Sequence, residues 1–399
     1  MDKIYRKYIG RYPVWYMVWS IKKFFFMGKT LKLFKPYVSW RAIFNVVRVL
    51  LSDQLAEGKW VKQFEYEFSK KFNLRNVVAV NSGTSALELA YELADIREND
   101  EVITTVLTCT ATNIPLKRRK AKIIFADIDA DLNINVDDVK RKITERTKAI
   151  VFVHFGGNNR GLDEILDIGR QKGITIIEDA AQAVGSDNWG KADFSCVSLQ
   201  AIKTLTSGDG GFLICKKQED YEKARRLRWF GYDREKKQKE GDTDLIEAGY
   251  KYHMNNIAAA IGLGNLKNID KIIAHRKMIG EIYKSYGLFA HIWLAGGFLK
   301  RGDVISLKYS SIDFRQHWGG FSFETGQHHY RNDKYTLFGK TSKAVMDHLQ
   351  VVGGGPYPKM DKVYDKYFFV PLHHKVTKRQ AHKIGKFLQQ YENTSKNQA

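Results

Sequence analysis

The chain is predicted to be an α/β protein: a doubly wound, mainly parallel sheet with helices on both faces, followed by a smaller α+β domain. Three observations lead there. Short apolar runs at 77–80, 101–104, 121–125, 149–153, 175–177 and 212–215 have the length of strands. Helical periodicity falls between such runs, as over 82–93, and alternation of strand with helix is the order that builds a parallel sheet. The length of 399 residues exceeds what a single core usually serves, so a second domain is expected. The composition sets apart a basic, aromatic extension over 1–35, and a large domain over 36–270 and a small C-terminal domain over 271–399 are expected after it.

The extension carries nine Lys or Arg (Lys3, Arg6, Lys7, Arg11, Lys22, Lys23, Lys29, Lys32, Lys35) against one acid, Asp2. Tyr5, Tyr8, Tyr12, Trp15, Tyr16, Trp19 and Phe24 to Phe26 are interleaved with them. Basic and aromatic residues together suit the surface of an anionic bilayer, where rings sit at headgroup depth. A helical arm packed on the body or on a partner subunit is the competing reading. The apolar stretch from Tyr12 to Ile21 ends at Lys22-Lys23 and is shorter than the roughly 20 residues a spanning helix needs, so no membrane span is expected. No small-x-small cleavage site follows it, which makes a signal peptide the lesser reading.

Beyond the extension, 40–72 reads as helical, through Ile43, Val46, Val47 and Leu50 and then Phe64 and Phe68. The alternating region follows. Residues 219–250 are polar and charged and read as a loop. A long helical region runs from 256 to 286, the last hundred residues mix short strands and helices, 353–356 is a Gly-Pro loop, and 392–399 is a polar tail.

Composition narrows the function classes. With 44% apolar and 27% charged residues the chain is globular rather than disordered. A net charge of +21 attracts polyanions, whether nucleic acid, anionic lipid or phosphorylated small molecules. Neither a zinc-finger spacing nor a helix-turn-helix or RNA-binding signature accompanies the charge, so neither a nucleic-acid partner nor a metal is expected. Three cysteines, Cys109, Cys196 and Cys215, form no disulfide framework; they read as small buried residues in a reducing, cytoplasmic compartment.

Three segments carry chemistry. In Asn81-Ser82-Gly83-Thr84-Ser85 a strand runs into a Gly-hydroxyl turn and a helix start, where free N–H groups and hydroxyls can bind phosphate or simply cap the helix. In Ile176-Ile177-Glu178-Asp179-Ala180-Ala181-Gln182 two acids end an apolar strand, the place where open α/β sheets bind ligands. A carboxylate there can keep a pyridinium nitrogen protonated, with Gln182 near a ring oxygen, or it can cap the next helix. In Ser198-Leu199-Gln200-Ala201-Ile202-Lys203 a lysine stands among small and apolar residues, the setting that lowers an amine's pKa for Schiff-base chemistry. Lys203 follows Asp179 by 24 residues, with Ser198 between them as a further phosphate donor.

Together these segments resemble the sugar aminotransferases of the DegT/StrS family, pyridoxal-phosphate (PLP) enzymes of fold type I. The resemblance runs over about residues 35–390, through Lys35-Pro36-Tyr37, Gly58-Lys59-Trp60-Val61, the three segments above, Gly249-Tyr250-Lys251-Tyr252-His253-Met254 and Val370-Pro371-Leu372-His373. It implies that Lys203 forms the Schiff base with PLP and shuttles the proton, that Asp179 pairs with the pyridine nitrogen, and that Gln182 contacts the ring's hydroxyl side. Gly83, Thr84 and Ser198 would hold the phosphate. By weaker resemblance Tyr250, His329 and Tyr330 would face the sugar nucleotide.

The sequence departs from the family pattern in three places. Lys251 stands where the family has an asparagine that reaches the partner's phosphate, Cys109 where many relatives stack an aromatic on the cofactor, and the extension over 1–35 is additional. The family fold also implies a homodimer, an amino-acid donor such as glutamate, a nucleotide-diphosphate keto-sugar acceptor and a place in polysaccharide biosynthesis. Relatives with histidine for the lysine are dehydratases; Lys203 favours amino transfer. The alternatives are such a dehydratase, or a non-catalytic relative that binds membrane or nucleic acid through its basic surface.

Overall fold

Two helices lead into the sheet: α1 (Trp40–Leu50) and α2 (Lys59–Phe72). The computed structural model describes residues 31, 33–241, 244–298, 358–359 and 367–396. The alternating region then gives β1 (Val77–Val80), α3 (Gly83–Leu93), β2 (Glu101–Thr105), α4 (Thr110–Arg118), β3 (Lys122–Ala126), α5 (Val136–Lys142) and β4 (Thr147–Val153). After a 3-10 turn at Phe155–Gly157 come α6 (Leu162–Lys172), β5 (Thr175–Asp179), β6 (Phe194–Ser198) and β7 (Gly211–Cys215). The seven strands lie in the order β1-β7-β6-β5-β4-β2-β3, and within this sheet β7 is antiparallel to both its neighbours while the other pairs are parallel.

Most of the strands read as near-continuous apolar runs because both faces of the sheet are covered. Along β1, Val78 and Val80 enter one core while Val77 and Ala79 enter another. Along β4, Ala149 and Val151 face one side and Ile150 and Phe152 the other. A period of two thus feeds two hydrophobic layers from one strand.

The remaining elements are α7 (Gln218–Leu227), α8 (Arg234–Glu240), α9 (Asn256–Leu266), α10 (Ile269–Lys284), β8 (Phe289–Ala290), β9 (Ala295–Phe298), β10 (Tyr367–Val370) and α11 (Lys378–Lys396). β10, β9 and β8 form a second, antiparallel sheet. Its core joins Val370 and Leu372 to Ile279 and Tyr283 of α10 and Leu388 of α11. This is the fold type I arrangement expected from the sequence.

Four local expectations differ. The polar segment 219–250 holds two helices; α7 buries only Ala224 and Leu227, so its charged face dominates its composition. The long helix over 256–286 is broken between Leu266 and Ile269, and α9 and α10 are separate. β6 was not expected: its serines alternate with Phe194, Cys196 and Val197 and hide the apolar run. Helix α11 continues to Lys396, past the expected tail start, since no glycine or proline follows Gly385 within it.

β1 is an edge strand, and its outward groups are met by side chains rather than by another strand. Glu65 Oε1 accepts from the Ala79 amide at 2.8 Å, and Arg228 Nη1 donates to the Ala79 carbonyl at 2.7 Å. Arg228 also donates to Glu65 at 2.6 Å and to Glu57 at 2.8 Å, and the guanidinium is buried. This clamp closes an edge that could otherwise pair with another chain. Removing the cation leaves two carboxylates short of their partner. We predict that Arg228→Ala destabilises the chain by about 3–5 kcal/mol. Breaking the exposed Lys71–Asp270 pair with Lys71→Ala should change stability by only about 0–1 kcal/mol. Urea denaturation of the two variants beside the parent measures the difference.

Candidate active site

Asp179 is the last residue of β5 and is buried. Thr112, in the first turn of α4, donates its hydroxyl to Asp179 Oδ2 at 2.7 Å, and the Ala181 amide donates to Oδ1 at 3.2 Å. Thr108 lies 2.7 Å from Thr112, hydroxyl to hydroxyl, and Tyr91 donates to the Thr112 carbonyl at 2.8 Å. The carboxylate is therefore fixed by two elements beside its own strand. Burial first, and the Asp179 charge next, push the neighbouring Cys196 thiol well above its ordinary range, and burial raises Cys215 as well. Both are inert buried cysteines, as expected.

Ser198 ends β6, and Gly83 opens α3 against it. A Cβ on Gly83 would lie 2.8 Å from the Ser198 Cβ, so only glycine permits this approach. Ser82 caps α3 by accepting from the Ser85 amide at 3.0 Å. The amides of Gly83 and Thr84 precede the first intrahelical bond, and such groups at a helix N-terminus suit an anion. The cradle made by Gly83, Thr84 and Ser198 fits a phosphate.

Lys203 sits in the turn after β6, its amide bonded to the Gln200 carbonyl at 2.9 Å. Its Nζ lies 4.5 Å from the centroid of the Trp293 ring, a cation–π distance. The indole N–H of Trp293 donates to the Ile202 carbonyl at 3.1 Å, and Phe34 stacks on the indole at 4.9 Å with planes 17° apart. The lysine's surroundings are thus aromatic, supplied by the β8–β9 hairpin and by the segment before α1.

The other expected residues divide. Gln182 accepts from the Gly156 amide at 2.5 Å, which leaves its NH2 as the group able to donate to a ring oxygen. Cys109 is the residue before α4, three positions from Thr112, and is partly exposed. Lys251 has an exposed side chain, while its carbonyl accepts from Asn81 at 3.3 Å next to the cradle. Tyr250 lies elsewhere: its hydroxyl donates to Glu92 at 2.9 Å, accepts from Arg119 at 3.2 Å, and its ring stacks on Tyr252 at 4.7 Å. Glu92 is near the C-terminal end of α3, roughly 13 Å along the axis from Gly83 at the usual helical rise. His329 and Tyr330 lie outside the described residues.

Three residues of the site were missed in the sequence. Thr112 has a legible signal, a hydroxyl in the first helical turn after a strand of the same sheet. Trp293 and Phe34 have none, because they meet Lys203 only through contacts distant in the chain.

Known proteins resemble the chain in sequence and in fold. The sequence profile of the DegT/DnrJ/EryC1/StrS aminotransferase family matches residues 39–290. An uncharacterized protein, MJ1066, of Methanocaldococcus jannaschii is 37% identical over 261 residues, covering 63% of this chain and 68% of that one. The GDP-perosamine synthase of Vibrio cholerae is 35% identical over 236 residues, covering 58% of this chain and 63% of the synthase, so the match spans about two thirds of these relatives. Among solved structures, the sugar aminotransferase CalS13 from Micromonospora echinospora superposes with a TM-score of 0.74 at 26% identity, covering 90% of this chain and 100% of CalS13.

His253, in the segment beside the cradle, meets the Trp229 ring edge-on at 3.9 Å. Burial, with the Arg228 charge adding, lowers its pKa to about 4. The neutral form is favoured by the fold, whereas the unfolded chain takes up a proton at about pH 6.5. Below that pH the unfolded state binds more protons, so this contribution to stability is lost as pH falls from 6.5 toward 4. We predict that His253→Gln flattens the fall in urea midpoint across that window; an unchanged slope would assign the acid sensitivity to other groups.

Proposed function

Because the chain belongs to the DegT/DnrJ/EryC1/StrS aminotransferase family and is a pyridoxal-phosphate-dependent enzyme of the transaminase type, we propose that it moves an amino group from glutamate to a keto-deoxysugar linked to a nucleotide diphosphate. The observation that carries this reading is that Gly83, Asp179, Ser198 and Lys203 lie along one edge of the sheet. The net charge of +21 suits a diphosphate-bearing substrate, and the GDP-perosamine synthase among the relatives supports the substrate class.

Bound PLP supplies a protonated ring that accepts the electron pair left when a proton departs from the amine-bearing carbon. The chain's own residues do the rest. Gly83, Thr84 and Ser198 hold the phosphate with backbone amides and a hydroxyl. Asp179, fixed by Thr112, holds the proton at the ring nitrogen. Gln182 donates from its NH2 to the ring's hydroxyl side. Lys203 Nζ would hold the cofactor covalently and, once displaced by the donor's amine, would move the proton at the amine-bearing carbon. While the amine is in transit, the Trp293 face offers it a place to rest. Cys109 is too small to stack on the ring, so orientation rests more on Asp179 and the phosphate cradle.

In this reading the active unit is a homodimer. Lys251 neutralises the phosphate of the partner's cofactor, and His329 and Tyr330 serve the sugar-nucleotide side, while Tyr250, held at Glu92 and Arg119, takes no part. Lys203 favours transfer over dehydration. The enzyme works in the cytoplasm, with residues 1–35 in peripheral contact with a membrane where polysaccharide is assembled. Among the described residues no helix is long and apolar enough to cross one.

Visible absorbance of the PLP-loaded protein tests the chemistry. Glutamate should bleach the band of the lysine-linked cofactor toward the amine form, and Lys203→Ala should lack that band. A spectrum unmoved by glutamate would refute the donor, and a protein that takes up no PLP would refute the reading. Lys251→Ala should bind PLP roughly ten- to a hundredfold more weakly, as expected for loss of a phosphate contact worth about 1.5–3 kcal/mol; unchanged affinity would remove Lys251 from the site.

A further inference from the structure

A cavity of about 260 Å³ lies between α10, the turn after β4 and the turn that joins β8 to β9. The buried charge in its wall is Arg276 of α10, only 3% accessible. Its Nη1 donates to the carbonyls of Leu372 at 2.6 Å, Trp293 at 3.4 Å and Ile292 at 3.5 Å. Its Nε is buried and has no hydrogen-bond partner among the described residues. Burial lowers its pKa to about 10, and no carboxylate among those residues offsets the charge. Arg228 shows the ordinary solution to the same problem: equally buried, it meets both Glu57 and Glu65. Carbonyls and water can take the N–H groups of a buried guanidinium, but neither neutralises it.

The walls of the cavity suit an anion. Arg276, Gly280 and Lys284 follow one another at intervals of four along α10, so they share a face, and Gly280 puts no side chain between the two cations. His291 lines the cavity from the β8–β9 turn. Burial lowers its pKa, so the ring is neutral and offers one N–H donor. The two acids of the lining are already engaged: Asp187 accepts from Lys277 and Glu281 from Lys284, each at 2.8 Å. With those pairs closed, the charge left over in the cavity is that of Arg276. The volume suits a phosphate or a small carboxylate rather than a sugar nucleotide. No residue of the Gly83–Thr84–Ser198 cradle lines it.

We propose that this cavity binds one small oxyanion, a phosphate or a carboxylate, on the Arg276 guanidinium. The site is separate from the cofactor cradle and does not depend on the reaction proposed above. Calorimetric titration of inorganic phosphate into the PLP-loaded full chain tests it, because PLP fills the cradle that would otherwise compete. The parent should bind in a saturable step, and Arg276→Met should bind on the order of tenfold more weakly. His291→Phe keeps the guanidinium and removes a neutral donor, so it should bind roughly threefold more weakly than the parent. A parallel titration with succinate separates the two sources: the occupant is the anion whose affinity falls in Arg276→Met. Absence of saturable binding by either anion would overturn the proposal. Equal affinity in the parent and Arg276→Met would also overturn it and assign the binding to the outer basic surface. Should Arg276→Met fail to fold, unchanged affinity in His291→Phe decides against the site.

Discussion

The candidate site depends on how closely the first turn of α3 can approach the end of β6, and that distance is set by the missing side chain at Gly83. A methyl group there would meet Ser198 at 2.8 Å. Without it, the helix amides and the Ser198 hydroxyl converge on one small region beside Asp179 and Lys203. The parallel sheet makes this convergence possible, because it brings the ends of β1, β5 and β6 to one edge. A helix N-terminus, a buried carboxylate and a lysine then become neighbours although they come from separate segments.

The surroundings hold that arrangement still. Thr112 ties α4 to Asp179, so the carboxylate cannot turn without disturbing the first turn of a second helix. The Arg228 clamp finishes β1, the strand that delivers Ser82 and Gly83. Trp293 is bound to Gly156 through its own amide at 2.9 Å and to Ile202 through its indole. Gly156 in turn binds Gln182, so the second sheet, the turn after β4 and the lysine loop are joined by one short chain of contacts. Apolar burial builds the layers; these few polar bonds fix the relative positions of the residues between them.

Much of this was legible in the sequence, for identifiable reasons. Strands buried on both faces are written as continuous apolar runs, and none of the six expected runs carries a serine. The phosphate turn, Asp179 and Lys203 stand in local patterns that need no knowledge of distant residues. β6 was hidden because its polar side chains face partners inside the fold: Ser195 donates to buried Glu178 at 3.1 Å. The Trp293–Lys203 contact could not be read, since it pairs residues on separate elements with no local signature. Tyr250 illustrates the converse: it lies in a motif-like segment, yet its hydroxyl is engaged by Glu92 and Arg119 at the far end of α3.

The account's central claim is that Lys203, among many lysines, is the one that bonds the cofactor. The most direct measurement is borohydride reduction of the PLP-loaded protein followed by mass mapping of its peptides. The account predicts a pyridoxyl-phosphate mass increment on the peptide containing Lys203, with near-stoichiometric occupancy. An increment on another lysine, or one scattered over surface lysines, would contradict it.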